Sequence, residues 1–111
     1  MELYEATNNA TYLNRAKEVL NFVMSGEFAA SSDPLRTTGS IKWDEGANNW
    51  CLCASAPAAT SNLMVYQATG DTKYLNDGRR IYNWAKTNRW GIGGGYRGYE
   101  NAVLCQAAIL L

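Results

Sequence analysis

A chain of 111 residues with ten Lys plus Arg, ten Asp plus Glu and no His carries no formal charge at pH 7, and 47% of it is hydrophobic. That is one globular unit at most, and balanced charge with Arg79-Arg80 as the only adjacent basic pair leaves no footprint for nucleic acid or an anionic membrane. The longest apolar or small-residue run, "CLCASAPAATSNLMVY", is too polar to span a bilayer, and the start "MELYEATNN" has neither the basic region nor the apolar core of a signal peptide.

Along the chain, the first element is a helix tail, Met1 to Thr7, with Met1 reading as an internal residue rather than an initiator. It ends in "YEATNNATYLN", residues 4–14, which returns as "YQATGDTKYLN", residues 66–76, with six of eleven positions identical. Repeats of this kind mark repeated structural units. In the second copy Gly70 suits the left-handed residue that closes one helix and Asp71 the N-cap that opens the next; in the first copy Asn8 and Asn9 take those roles. The motif therefore predicts a tight turn between antiparallel helices.

The next element is an amphipathic helix, with Tyr12, Leu13, Ala16, Val19, Leu20 and Val23 at spacings of three and four and polar residues between them. A long connection over 26–54 follows. The helix after it, "APAATSNLMVYQAT", is small or apolar on most sides, as a helix packed front and back requires; Ser55 is expected as its N-cap, which places Pro57 in a tolerated first turn. Beyond the Gly70-Asp71 turn, Tyr74, Leu75, Gly78, Ile81, Tyr82 and Ala85 repeat the amphipathic stripe. A second long connection, 89–99, leads to "NAVLCQAAILL", another inner helix with Asn101 as its N-cap.

The fold class expected is all-α, with inner and outer antiparallel helices alternating in two helix-pair repeats over residues 1–111, incomplete at both ends. Two pairs cannot close a toroid, so the inner helices need covering by the rest of a larger protein or by other copies of the chain. Because helix direction alternates, both long connections emerge at one end of the bundle, and functional residues concentrate on such loops. Trp43, Trp50, Trp90, Tyr96 and Tyr99 fall in or beside them; flat rings cover the apolar face of a sugar while Asp44, Asn48, Asn49, Glu100 and Asn101 can bond its hydroxyls. Trp84, on an outer helix, reads as core. "GIGGGYRG" lacks the Lys-Ser/Thr ending of a phosphate loop and reads as a flexible rim. Cys51, Cys53 and Cys105 without any His fall short of the four ligands of a structural zinc site, so no metal and no cofactor is expected. Asn9-Ala10-Thr11 fits the N-glycosylation sequon, but a capping Asn9 is expected to be structural.

"GSIKWDEGANNWCLCASAPAATSNLMVYQATGDTKYLNDGRRIYNWAK" with "GYRGYENAVLCQAAILL" resembles glycoside hydrolase family 76, the endo-α-1,6-mannanases, over nearly the whole chain. The "YxATGDxxYL" turn recurs in many (α/α)6-barrel enzymes. The Gly-x-Ile-x-Trp loop, the Ser-Ala-Pro-Ala inner helix and the "IYNWAK" outer helix, in that order, are more specific. The resemblance implies a segment of an (α/α)6 barrel, a partial catalytic domain, in a secreted or cell-surface enzyme with α-mannan as its polysaccharide or oligosaccharide substrate. It further implies a retaining mechanism with two adjacent aspartates, one attacking the anomeric carbon and the other serving as acid and base. The chain contains no Asp-Asp, so that pair is expected upstream of residue 1 and no residue here is assigned a catalytic role. Asp44-Glu45 is the only adjacent acidic pair on the loop face, and nothing near it in sequence would raise one pKa selectively; Glu45 is expected to contact sugar instead. Two other classes stay open: another (α/α)6 sugar enzyme, such as an epimerase or unsaturated-uronide hydrolase, and a non-catalytic helical-repeat fragment that binds glycan or self-assembles.

Overall fold

The computed structural model of the chain describes residues 1–42, 52–88 and 107–110. It is mostly helical, with α1 (Glu2–Thr7), α2 (Ala10–Met24), α3 (Leu52–Thr69) and α4 (Thr72–Asn88), and residues 107–110 helical as well. Among the described residues the only β pairing is an isolated antiparallel bridge between Glu27 and Ile41. No helix among them is long and apolar enough to cross a membrane.

The two turns repeat hydrogen bond for hydrogen bond. Asn8 (φ 53°) and Gly70 (φ 73°) are left-handed, and their N–H groups donate to Tyr4 O and Tyr66 O at 2.6 and 2.7 Å. The next residue caps the following helix: Asn9 Oδ1 accepts from Thr11 N–H at 2.9 Å and Asp71 Oδ1 from Lys73 N–H at 3.0 Å. The threonine common to both copies closes the motif. Thr7 Oγ1 donates to Leu3 O and accepts from Asn9 N–H, as Thr69 Oγ1 does with Val65 O and Asp71 N–H. One hydroxyl thus adds a second bond to a carbonyl near the end of one helix and holds the amide of the residue that caps the next.

Leu20 packs with Val65 and Tyr74, and Ala56 with Trp84 and Ala85, so α2, α3 and α4 run antiparallel in succession. Helix α3 is buried on most sides, through Ser55, Ala56, Ala58, Ala59, Thr60, Asn62, Leu63 and Val65. Helix α4 has one buried face, Tyr74, Gly78, Ile81, Trp84 and Ala85, and exposes Lys73, Asn76, Arg79 and Asn83. The two lie close because Gly78 has no side chain: a Cβ there would sit 2.8 Å from Leu63 Cγ and 3.1 Å from Ala59 O. Ala107 is buried in the same cluster as Ala58, Ala59, Leu63 and Ile81.

Three expectations need correction. Ser55 is not an N-cap, because α3 already runs from Leu52 and Ser55 is buried within it; its hydroxyl accepts from Ile41 N–H at 3.1 Å instead. Pro57 is consequently the sixth residue of α3, inside the helix rather than in its first turn, and removes one intrahelical hydrogen bond. The α2 stripe is also less covered than its periodicity implies: Leu20 is its one buried residue, and Tyr12 and Val19 are exposed.

Replacing Asp71 by Ala should cost about 1 kcal/mol in urea unfolding through loss of the cap, and a neutral change would remove the turn assignment. Gly78→Ala gains helix propensity but overpacks Leu63 by about 1–3 kcal/mol, so its net effect should be a lower melting temperature. An unchanged or raised value would show that α3 and α4 are not in this close contact.

Candidate functional site

All of the residues expected to contact sugar, Trp43, Asp44, Glu45, Asn49, Trp50, Trp90, Tyr96, Tyr99, Glu100 and Asn101, lie outside the described residues, as do Asn48 and the whole of the second connection. What is described is the ground from which the first connection departs, residues 25–42. It leaves the C-terminal end of α2 and docks on the N-terminal part of α3 and the C-terminal half of α4, the ends away from the Asn8 and Gly70 turns.

The connection is tied at several points. Gly26 O accepts from Lys42 N–H at 2.9 Å and Ser40 O from Phe28 N–H at 3.0 Å, which folds the segment back on itself. Ser40 Oγ donates to Leu35 O. Asp33 accepts from Leu35 N–H and Arg36; the Leu35 amide, then the Arg36 guanidinium, hold its carboxyl below the ordinary aspartate value. The chain then passes Trp84. Gly39 has φ +99°, a backbone state that favours glycine, and a Cβ there would lie 2.6 Å from Trp84 Cβ and 3.0 Å from Arg80 O. Trp84 is 4% exposed and its Nε1–H donates to Pro34 O at 2.8 Å, so its role is packing, as expected. Ile41, the next apolar residue, enters the α3–α4 core.

One charged cluster fastens the same segment. Arg80 donates from Nε to Glu27 Oε2 at 2.8 Å and from Nη2 to Glu27 Oε1 at 2.9 Å and Asp77 Oδ1 at 2.8 Å, while Gly39 N–H also donates to Glu27 Oε2. The bidentate bond to Glu27, against some opposing desolvation, raises the Arg80 pKa above its already high ordinary value, so the guanidinium stays charged. Every partner is a structural group, and the cluster reads as a clamp between connection and helix. The sequence showed Arg80 only as half of a basic pair; the fork-to-carboxylate match with a residue 53 positions away has no local signature.

Beside the connection lies a groove of about 550 Å³ between α2 and α3, walled by Val19, Leu20, Val23, Pro57, Ala58 and Val65, with Met1 at one end and Lys42 at the rim. Phe22, 60% exposed, borders it. Among the described residues Lys42 is its sole charged lining side chain, and no described carboxylate or amide side chain faces it. The groove suits an apolar helix face better than a polyol, whose hydroxyls need paired donors and acceptors. No group of His, Cys, Asp and Glu among the described residues could hold a metal. The neighbouring Asn62 is fully buried, with Nδ2 bonded to Ala58 O and Oδ1 unpartnered among the described residues.

These geometries give physical content to the motifs of the chain. In Gly39-Ser40-Ile41-Lys42-Trp43, Gly39 rests on Trp84 of "IYNWAK", and the Ile41 amide bonds the hydroxyl of Ser55 of Ser-Ala-Pro-Ala. The three motifs form one contact unit, and Lys42, the residue before Trp43, lies against Gly26 at the groove rim. No family model, curated protein or solved structure matches the chain.

Gly39→Ala should destabilise by more than about 2 kcal/mol, combining an unfavourable φ with a clash against Trp84 and a backbone carbonyl. It should also shift tryptophan fluorescence as Trp84 is displaced. A variant that melts with the wild type and keeps its emission would place this connection elsewhere.

Proposed function

We propose that the chain is part of a glycoside hydrolase resembling the endo-α-1,6-mannanases, and that it contributes substrate contacts on the long-connection end of an (α/α)6 barrel. The observation that supports this most is the interlock just described. The Gly-x-Ile-x-Trp loop, the Ser-Ala-Pro-Ala helix and the "IYNWAK" helix carry the resemblance, and in the fold they meet through Gly39–Trp84 and Ile41–Ser55. Motifs far apart in sequence thus have a shared reason to occur together. That reason is to aim the chain at Trp43 from a fixed platform. The apolar α2–α3 groove fits the same reading, because a barrel segment leaves such a face for its neighbouring helix or for another copy to cover.

On this reading Trp43, Trp50, Trp90, Tyr96 and Tyr99 stack on sugar rings, and Asp44, Glu45, Asn49, Glu100 and Asn101 bond hydroxyls. Hydrolysis itself belongs to a paired-aspartate site, which this chain lacks. The enzyme acts outside the cytoplasm, where polymeric mannan is met.

Isothermal titration with an α-1,6-linked mannotetraose should show binding that Trp43→Ala weakens by about tenfold, roughly 1.4 kcal/mol, without product formation. Absence of binding, or equal affinity for an α-1,4-glucan of the same length, would remove the mannan reading. Turnover lost in Asp44→Asn would instead place catalysis on Asp44-Glu45.

A further inference from the structure

We propose that Asn9 is an N-glycosylation site whose cap and glycan coexist on one side chain. The inference rests on the secretory destination of the proposed function and otherwise on geometry. Asn9-Ala10-Thr11 is the only Asn-x-Ser/Thr triplet in the chain, and all three residues are exposed. The residue between is Ala, so the Pro that forbids modification is absent.

The cap uses only half of the amide. Thr11 N–H is a donor and can face only an acceptor, so the atom 2.9 Å from it is the carbonyl oxygen Oδ1. That assigns the carbonyl oxygen to the cap and leaves Nδ2, the atom that receives sugar, out of the capping bond. Nδ2 has no partner among the described residues, and Asn9 N–H is held separately by Thr7 Oγ1. Capping therefore does not compete with modification, contrary to what the capping role alone suggests.

The transfer is chemically complete with one co-reactant, a lipid-pyrophosphate-linked oligosaccharide. Nδ2 forms a bond to the anomeric carbon as that carbon's bond to the pyrophosphate oxygen breaks. The lipid pyrophosphate departs, and one Nδ2 proton goes to a base of the transferase. The product is still an amide with its oxygen intact, so the bond from Thr11 N–H survives. In the second copy of the turn Asp71 caps in the same way but has no amide nitrogen, so only the first turn can carry sugar. That turn lies at the end of α2 away from the groove rim and the Lys42 connection, and a glycan there leaves both uncovered.

The test is translation of the full chain behind a supplied signal sequence in the presence of endoplasmic-reticulum microsomes, with protease protection to select translocated chains. Because translocation is supplied, the result is independent of where the natural protein resides. A mass increase of one glycan, removable by endoglycosidase H and leaving a single N-acetylglucosamine on the Asn9 peptide, is expected. Thr11→Ala should abolish it and Thr11→Ser should retain it. Thr11→Ala keeps the backbone N–H that the cap uses, so its unglycosylated form should melt as the wild type does. The glycosylated and unglycosylated wild-type chains should melt alike as well. Protected wild-type chains with unmodified Asn9 would overturn the site, and a glycoform that melts lower than the unglycosylated wild-type chain would overturn the coexistence of cap and glycan.

Discussion

Gly39 against Trp84 is the contact on which the course of the first connection depends. A residue with a Cβ cannot approach the root of the indole so closely, and few L-residues adopt the backbone state that Gly39 holds. Once the chain is placed there, Pro34 O meets the indole N–H, Glu27 meets Arg80, and Ile41 is directed between α3 and α4. The connection is then part of the core rather than a cover for it. Burying Ile41 alone is worth about 1.5–3 kcal/mol, and each neutral hydrogen bond along the way adds about 1 kcal/mol. The platform that leads to Trp43 is therefore secured by apolar burial and polar bonds together.

The parts legible in the sequence are those whose physics is local. A left-handed residue followed by a capping carboxylate or amide needs only neighbours within a turn, so Asn8-Asn9 and Gly70-Asp71 could be assigned from residue type, and the stripe of α4 from its spacing. Thr7 and Thr69 carry as much of the turn, yet their identity in both copies says nothing about which carbonyl and which amide they serve. Ser55 misled because a hydroxyl able to cap its own helix can equally accept from another segment, and the Ile41 amide claimed it. The Glu27–Arg80 clamp and the Gly39–Trp84 approach join residues distant along the chain and leave no periodic trace. As for the sugar-contacting residues, the described part of the fold extends to Lys42, one position short of the first of them.

The helices are not equally secured. Helix α3 is held by α4 along its length, with Gly78 admitting Leu63, whereas α2 is anchored chiefly through Leu20 and Val23 near its C-terminal half. The ion pair on the exposed side of α2, Arg15 with Glu18, stabilises it little, since both side chains are well hydrated. The Arg80 cluster differs because the guanidinium fork meets Glu27 with both oxygens and that carboxylate is largely shielded. Stability thus falls from α3 and α4 toward α2, and the uncovered groove lies on the weaker side.

The unequal connections at the two ends of the bundle also decide where the chain tolerates insertion. At the Gly70-Asp71 turn, one added residue would part Thr69 Oγ1 from the amide two positions on and separate the left-handed residue from its cap, so both helix ends would lose their partners at once. A connection that is already long is bound by a gentler rule, since doubling its length costs only about 0.6 kcal/mol of closure entropy. A change in the length of this connection therefore need not disturb the platform that Gly39, Ile41 and Ser55 hold. One end of the bundle is free to diversify in length and side chains, and the other is confined to the two residues that join its helices.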